Sequence, residues 1–255
     1  MQILKDIWLA VNAYWRAISF FQKERKWHWL FLPVLANLIL FIFVAIAAWQ
    51  FAGELVDYFM SFFPAYEAGG WGTFLQFTLS FVIRLLVLGL YLKFYRYIIL
   101  ILFAPILAFL SDKILKQVLG VPSKGGSIIK QVIRGGWIAL RNLFLELLAT
   151  GIVLLLALLF PPILPLVPIF LMLLASFFFG YSMVDYRLEY LGFTVADSNS
   201  MLLKRSGFLM ANGFVFQLVI LIPFVGVLFG PIWSLVAACL VPVESKPITA
   251  ESSEI

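Results

Sequence analysis

The feature that most limits how this chain can fold is a pair of charge-free stretches of equal length, residues 147–184 and 206–243, each interrupted near its middle by proline or glycine. The first carries Pro161, Pro162, Pro165 and Pro168. An interior proline removes a backbone donor, clashes with the preceding turn and costs about 3 kcal/mol, so no single helix passes through that cluster. The flanking arms, residues 147–160 and 169–184, reach only about 21 and 24 Å as helices, short of a hydrocarbon core about 30 Å thick. A re-entrant helical hairpin is expected, with short spans joined by a tight turn as the alternative. The second stretch repeats the pattern with Pro223, Gly226, Gly230 and Pro231. Either version returns the chain to the side it left.

Composition places these stretches in a bilayer. Apolar residues make up 64% of the chain and charged residues 12%, about half the charge a soluble domain uses to cover its surface. The expected fold is therefore all-α, an integral membrane protein. The single cysteine, Cys239, and the single histidine, His28, exclude an intrachain disulfide framework, a zinc cluster and most histidine catalysis. No cofactor or metal is expected. The net charge of +5 reads as basic residues on the cytoplasmic face rather than as a nucleic-acid surface.

Residues 3–21 space Leu4, Ile7, Trp8, Val11, Trp15 and Ile18 by threes and fours, the stripe of an amphipathic helix that lies in the interface or packs on other helices. Lys5, Asp6 and Arg16 interrupt this segment, so a cleavable signal is not expected. One membrane domain over residues 1–243 follows in order. Residues 1–26 form the interfacial helix and a basic turn, 27–53 the first span, 54–70 an acidic outer loop, and 71–110 the second span with an extension kinked at Pro105. Residues 111–146 are a basic cytoplasmic segment, in which Lys130, Arg134 and Arg141 share a face opposite Ile129, Ile133 and Trp137. The first hairpin (147–184), a cytoplasmic linker (185–205), the second hairpin (206–243) and a disordered tail (244–255) complete the chain. Of the 18 Lys and Arg residues, all but Arg84 fall on the side assigned to the cytoplasm, which also holds both termini.

Arg84 lies inside the second span, where an arginine costs about 2.5–3.5 kcal/mol to insert. It faces a wet cavity or an anion, or else it snorkels or packs on a neighbouring tyrosine. Asn37, in the first span, is grouped with it as an intramembrane polar residue of a pore. Arg25, Lys26 and His28 stand where the chain enters the first span. Cations beside free backbone N–H groups favour an anion there, and lipid headgroups are the competing partner. Glu146, Asp185 and Glu189 are expected to pair with Arg141, Arg187 or Lys204. No GxSxG, GxxxxGK[ST] or HExxH motif is present, and no enzyme activity is expected.

The segments Phe31-Leu-Pro-Val-Leu-Ala-Asn37, Ala104-Pro-Ile-Leu-Ala-Phe-Leu-Ser-Asp112 and Tyr181-Ser-Met-Val-Asp-Tyr186, with Leu202-Leu-Lys-Arg205 and Ile222-Pro-Phe-Val-Gly226, resemble the CysZ sulfate-transporter family, within the group named for an etoposide-induced protein. The resemblance covers most of the chain beyond residue 20. It implies two long membrane helices, two partly penetrating hairpins, a homo-oligomer and sulfate uptake across the bacterial inner membrane for cysteine synthesis. The family binds sulfate near a glycine, an apolar residue and arginine just before the Leu-Pro step. Counted back from Leu32-Pro33, the arginine positions fall on Trp27 and His28, with Arg25 and Lys26 two residues earlier and no glycine. The implied anion site is thus Arg25, Lys26, Trp27 and His28, for sulfate or a related oxyanion. The alternatives are a shifted site, or a membrane scaffold of the same fold that does not transport.

Overall fold

The structure, a computed structural model, describes residues 2–23, 28–62, 70–222 and 225–242. Those residues are helical apart from short connections, with no strand among them. The helices are α1 (Gln2–Lys23), α2 (His28–Ser61), α3 (Gly70–Leu102), α4 (Ala104–Leu119), α5 (Ile128–Leu159), α6 (Val167–Tyr190), α7 (Val195–Lys204), α8 (Ser206–Ile220) and α9 (Val225–Leu240). Three of them, α2, α5 and α6, lie in segments long and apolar enough to cross a membrane. The expected tail at 244–255 and residues 63–69 of the expected outer loop lie outside the described residues, as do Pro223 and Phe224 of the second broken stretch, whereas residues 54–61, expected in that loop, continue α2.

The chain divides into two compact units, residues 1–34 with 97–255, and residues 35–96. In the first, α6 and α8 form the centre. α5 packs on α6, α1 lies over α8 and α9, and α4 packs on α5 and α9. Small residues let the central pair approach closely. A Cβ at Gly213 would sit 1.9 Å from the Ser176 carbonyl oxygen, and one at Gly180 would sit 2.0 Å from that of Leu209. Beside this crossing the Phe179 and Phe216 rings stack with centroids 3.8 Å apart. Membrane helices gain little from apolar burial against one another, so close backbones and interhelical hydrogen bonds carry the association.

Those hydrogen bonds form a ladder. Gln217 donates from Nε2 to the Met172 carbonyl at 2.9 Å and to Ser176 Oγ at 2.5 Å. Asn142 donates to Ser182 Oγ at 2.9 Å. Ser234 donates to Asn212 Oδ1 at 2.6 Å, and Tyr14 ties α1 to the same turn through the Asn212 carbonyl at 2.9 Å.

The proline cluster is accommodated without breaking a helix. Residues Pro161–Leu166 make a tight 3₁₀ turn with no buried residue, and Pro168 sits at the start of α6, where a missing N–H leaves nothing unpaired. In the second stretch Gly226 opens α9 against the end of α8, where a Cβ would meet the Val219 carbonyl oxygen at 2.0 Å. Pro231, expected in the middle of the break, lies inside α9.

Two expectations change. The later part of the basic segment, from Ile128, and the first hairpin arm are one continuous helix, α5, of 32 residues, roughly 48 Å long. Arm length alone therefore does not separate a half-penetrating hairpin from a crossing one. Its amphipathicity is also inverted: Ile129, Ile133, Trp137 and Phe144 point outward, while Arg134 and Arg141 turn toward the fold. Likewise in α1, Asp6, Ala10, Ala13, Tyr14, Ala17 and Phe21 are buried, whereas Trp8 and Trp15 of the anticipated stripe are 65% and 68% exposed. In a bilayer the apolar face meets lipid and the small or polar face meets protein. The expected kink falls at Phe103, which ends α3, and Pro105 lies in the first turn of α4.

In the second unit, α2 and α3 pack as a helical pair around Ala52, Val56 and Ile83, supported by Leu55, Leu79 and Val87.

Candidate functional site

Arg84 projects from α3 within this helical pair. Its Nη1 donates to Ser80 Oγ, one turn back, at 2.5 Å. Its guanidinium carbon lies 4.4 Å from the centre of the Trp49 ring on α2. Cation–π contact of this kind is strongest where water is excluded. The Nε–H is buried and finds no acceptor. Arg84 borders a cavity of about 400 Å³ lined also by Phe41, Ala45, Ala48, Phe77 and Phe81. Arg84 thus has an aromatic face, one hydroxyl and one unspent donor within an apolar helical pair. A guanidinium so placed favours an anion in the cavity over any cation.

The other intramembrane residue singled out in the sequence, Asn37, is buried in α2. It stands twelve residues before Trp49, about 18 Å along the helix axis, so Asn37 and Arg84 do not share one site. His28 is the first residue of α2, while Arg25, Lys26 and Trp27 lie outside the described residues.

A second polar centre forms where α5, α6 and α7 meet. Arg134 donates from Nε to Asp185 Oδ2 at 3.0 Å and from Nη2 to Asp185 Oδ1 at 2.9 Å, a two-point fork. The same guanidinium reaches Ser198 Oγ at 2.8 Å and the Phe193 carbonyl, which ties α7 and the loop before it to α5. Glu189 is buried one turn beyond Asp185. Gly125 is pressed against the Glu189 carbonyl, and the Lys124 N–H donates to the Tyr190 carbonyl at 2.8 Å, so the loop before α5 is fastened to the end of α6.

One anticipated ion pair changes partner. Asp185 pairs with Arg134. Glu146 accepts from Tyr97 Oη at 2.5 Å. Arg187 donates to the Cys239 carbonyl at 2.5 Å, near the C-terminal end of α9, where unpaired carbonyls favour a cation. Arg141 stacks over Tyr181 at 4.9 Å and donates to Asn142 Oδ1 at 3.2 Å. The clamp was missed because Arg134 reads as one of three cations on a solvated face. The signal available was Asp185, a carboxylate set directly after a charge-free run with no cation within one turn before it.

Among the described residues no three His, Cys, Asp or Glu side chains gather to hold a metal ion. A search of curated proteins finds no match. The family described as sulfate transporter CysZ/etoposide-induced protein 2.4 matches residues 13–231, from within α1 through the first broken stretch and into the second.

Proposed function

We propose, since this chain belongs to the sulfate transporter CysZ/etoposide-induced protein 2.4 family, that it passes an inorganic oxyanion, sulfate first, across the bacterial inner membrane with both termini in the cytoplasm. The observation that carries the reading is Arg84. A permanently charged side chain in an apolar helical pair is a burden of about 2.5–3.5 kcal/mol on insertion, and this one lines a cavity with its Nε–H unspent. An anion dwelling there would offset that burden.

The remaining assignments follow from the same reading. Arg25, Lys26, Trp27 and His28 capture the anion at the cytoplasmic entry to the first span, and Asn37 offers a polar step within that span. The broken stretches act as re-entrant hairpins, because the exposed turn at Pro161–Leu166 needs protein or lipid cover from a bilayer or from further copies of the chain. A homo-oligomer supplies that cover.

The test is uptake of labelled sulfate by proteoliposomes, beside a sulfate-binding titration of the purified protein. Saturable uptake that falls in Arg84→Ala and in the Arg25→Ala/Lys26→Ala pair is expected. Vesicles that stay tight to sulfate, chloride and phosphate, with no binding at millimolar sulfate, would point instead to a scaffold that organises lipid.

A further inference from the structure

α1 does not seal against α8 along its whole length. Between them lies a groove of about 400 Å³, lined by Ile7 and Val11 of α1, Leu173 of α6, and Met210, Phe214 and Leu218 of α8 among others, almost entirely carbon. One end is charged. Asp6 precedes Ile7 in α1, and its Oδ1 lies 3.4 Å from Nη2 of Arg205, which stands two residues before Gly207 of the groove wall. The Arg205 Nε–H is buried without an acceptor. Lys5 and Lys204, both exposed, flank that pair in sequence. Three cations against one carboxylate leave this end with a surplus of two positive charges.

We propose that the groove holds one acyl chain of an anionic phospholipid whose phosphate sits at the Arg205 end. The groove lies in the volume range of small-ligand sites and its walls are almost wholly apolar, so an alkyl chain fits it. The depth agrees: exposed Trp8 and Trp15 on the same helix belong at the level of lipid headgroups, where indole rings accumulate. An anionic headgroup is the matching charge for the surplus cations and an acceptor for the idle N–H. The site is independent of anion transport, since none of its residues belongs to the Arg84 cavity or to the basic entry at Arg25 and Lys26.

The experiment titrates phosphatidylglycerol or phosphatidylcholine of identical acyl chains onto the delipidated full chain, read by native mass spectrometry. The wild type is expected to retain one phosphatidylglycerol at about tenfold lower concentration than phosphatidylcholine, as surplus surface cations dictate. Lys5→Gln with Lys204→Gln keeps the Asp6–Arg205 pair and should erase the preference. Val11→Phe with Leu218→Phe fills the groove and should weaken retention of both lipids while the melting temperature holds. Equal retention of the two lipids by the wild type would overturn the proposal. So would unchanged retention in the groove-filled chain, which would mean lipid bound elsewhere on the surface.

Discussion

The Arg134 guanidinium meets the Asp185 carboxylate through two N–H donors, at 3.0 and 2.9 Å, with the acid 3% exposed and the base 15%. Because that pair also reaches Ser198 and the Phe193 carbonyl, one side chain holds α5, α6 and α7 in register. Removing either partner strands a buried charge, which costs about 3–5 kcal/mol. Arg134→Ala and Asp185→Ala should therefore each lower the melting temperature in detergent sharply. Arg134→Lys should recover only part of the loss, because an ammonium cannot reproduce the fork. Equal melting of Arg134→Ala and wild type would remove the pair from the list of structural determinants.

The α6–α8 crossing gives a sharper contrast. Gly213→Ala places a methyl 1.9 Å from a backbone oxygen, which no rotamer change relieves, so the helices must part. Overpacking of this kind costs about 1–3 kcal/mol or more, and thermal melting should show it. Gly136 in α5 has nothing within 4 Å of an added Cβ. Gly136→Ala should be neutral or stabilise the helix by up to about 1 kcal/mol through propensity alone. If the two variants melt alike, the close approach at Gly213 is not what holds the crossing.

How far this could be read beforehand depended on which physics the residues expressed. Prolines and missing charge act locally, so residues 147–184 and 206–243 announced their breaks, and the Pro105 bend was legible for the same reason. Periodicity showed that α1 and α5 are amphipathic, but it does not carry a sign. The Trp8–Trp15 stripe and the Ile129–Trp137 stripe turn outward because the surrounding solvent is lipid, and the Ala10–Ala13–Ala17 face turns inward because small side chains let α1 approach α8 and α9. The Arg134–Asp185 clamp joins residues 51 positions apart, and only the folded arrangement of α5 against α6 brings them together. Arg84 was visible from its place in an apolar span, whereas its seat over Trp49 was not, since that contact depends on the register of α2 against α3.

The outward stripe of α1 can be located directly. Trp8 and Trp15 should be quenched most strongly by lipids labelled near the headgroup and weakly by lipids labelled near the chain terminus, as interface-seeking rings are. The reading requires single-tryptophan chains, because the sequence holds 8 tryptophans. Trp8→Ser and Trp15→Ser should change folding stability by less than about 0.5 kcal/mol, since neither ring is buried. Uniform quenching at all depths would mean that α1 does not lie in the interface.

Arg84 sets stability against function. Its guanidinium is held by Ser80 and by the Trp49 ring, with no carboxylate partner among the described residues and with Nε–H idle. Replacing it by methionine keeps much of the stem and removes the charge. Arg84→Met should therefore raise stability by about 1–3 kcal/mol, the range over which apolar substitution for buried charge is neutral or favourable. If the cavity lies on the path of the anion, the same variant should lose sulfate uptake, a trade expected where a strained group serves function. Arg84→Lys separates charge from geometry. It keeps a cation over Trp49 but loses the planar face, so uptake should fall by roughly tenfold or less, the scale of one weakened charged contact. A variant that melts higher and still transports would leave Arg84 as a structural residue and move the search for the path to the basic entry at Arg25 and Lys26.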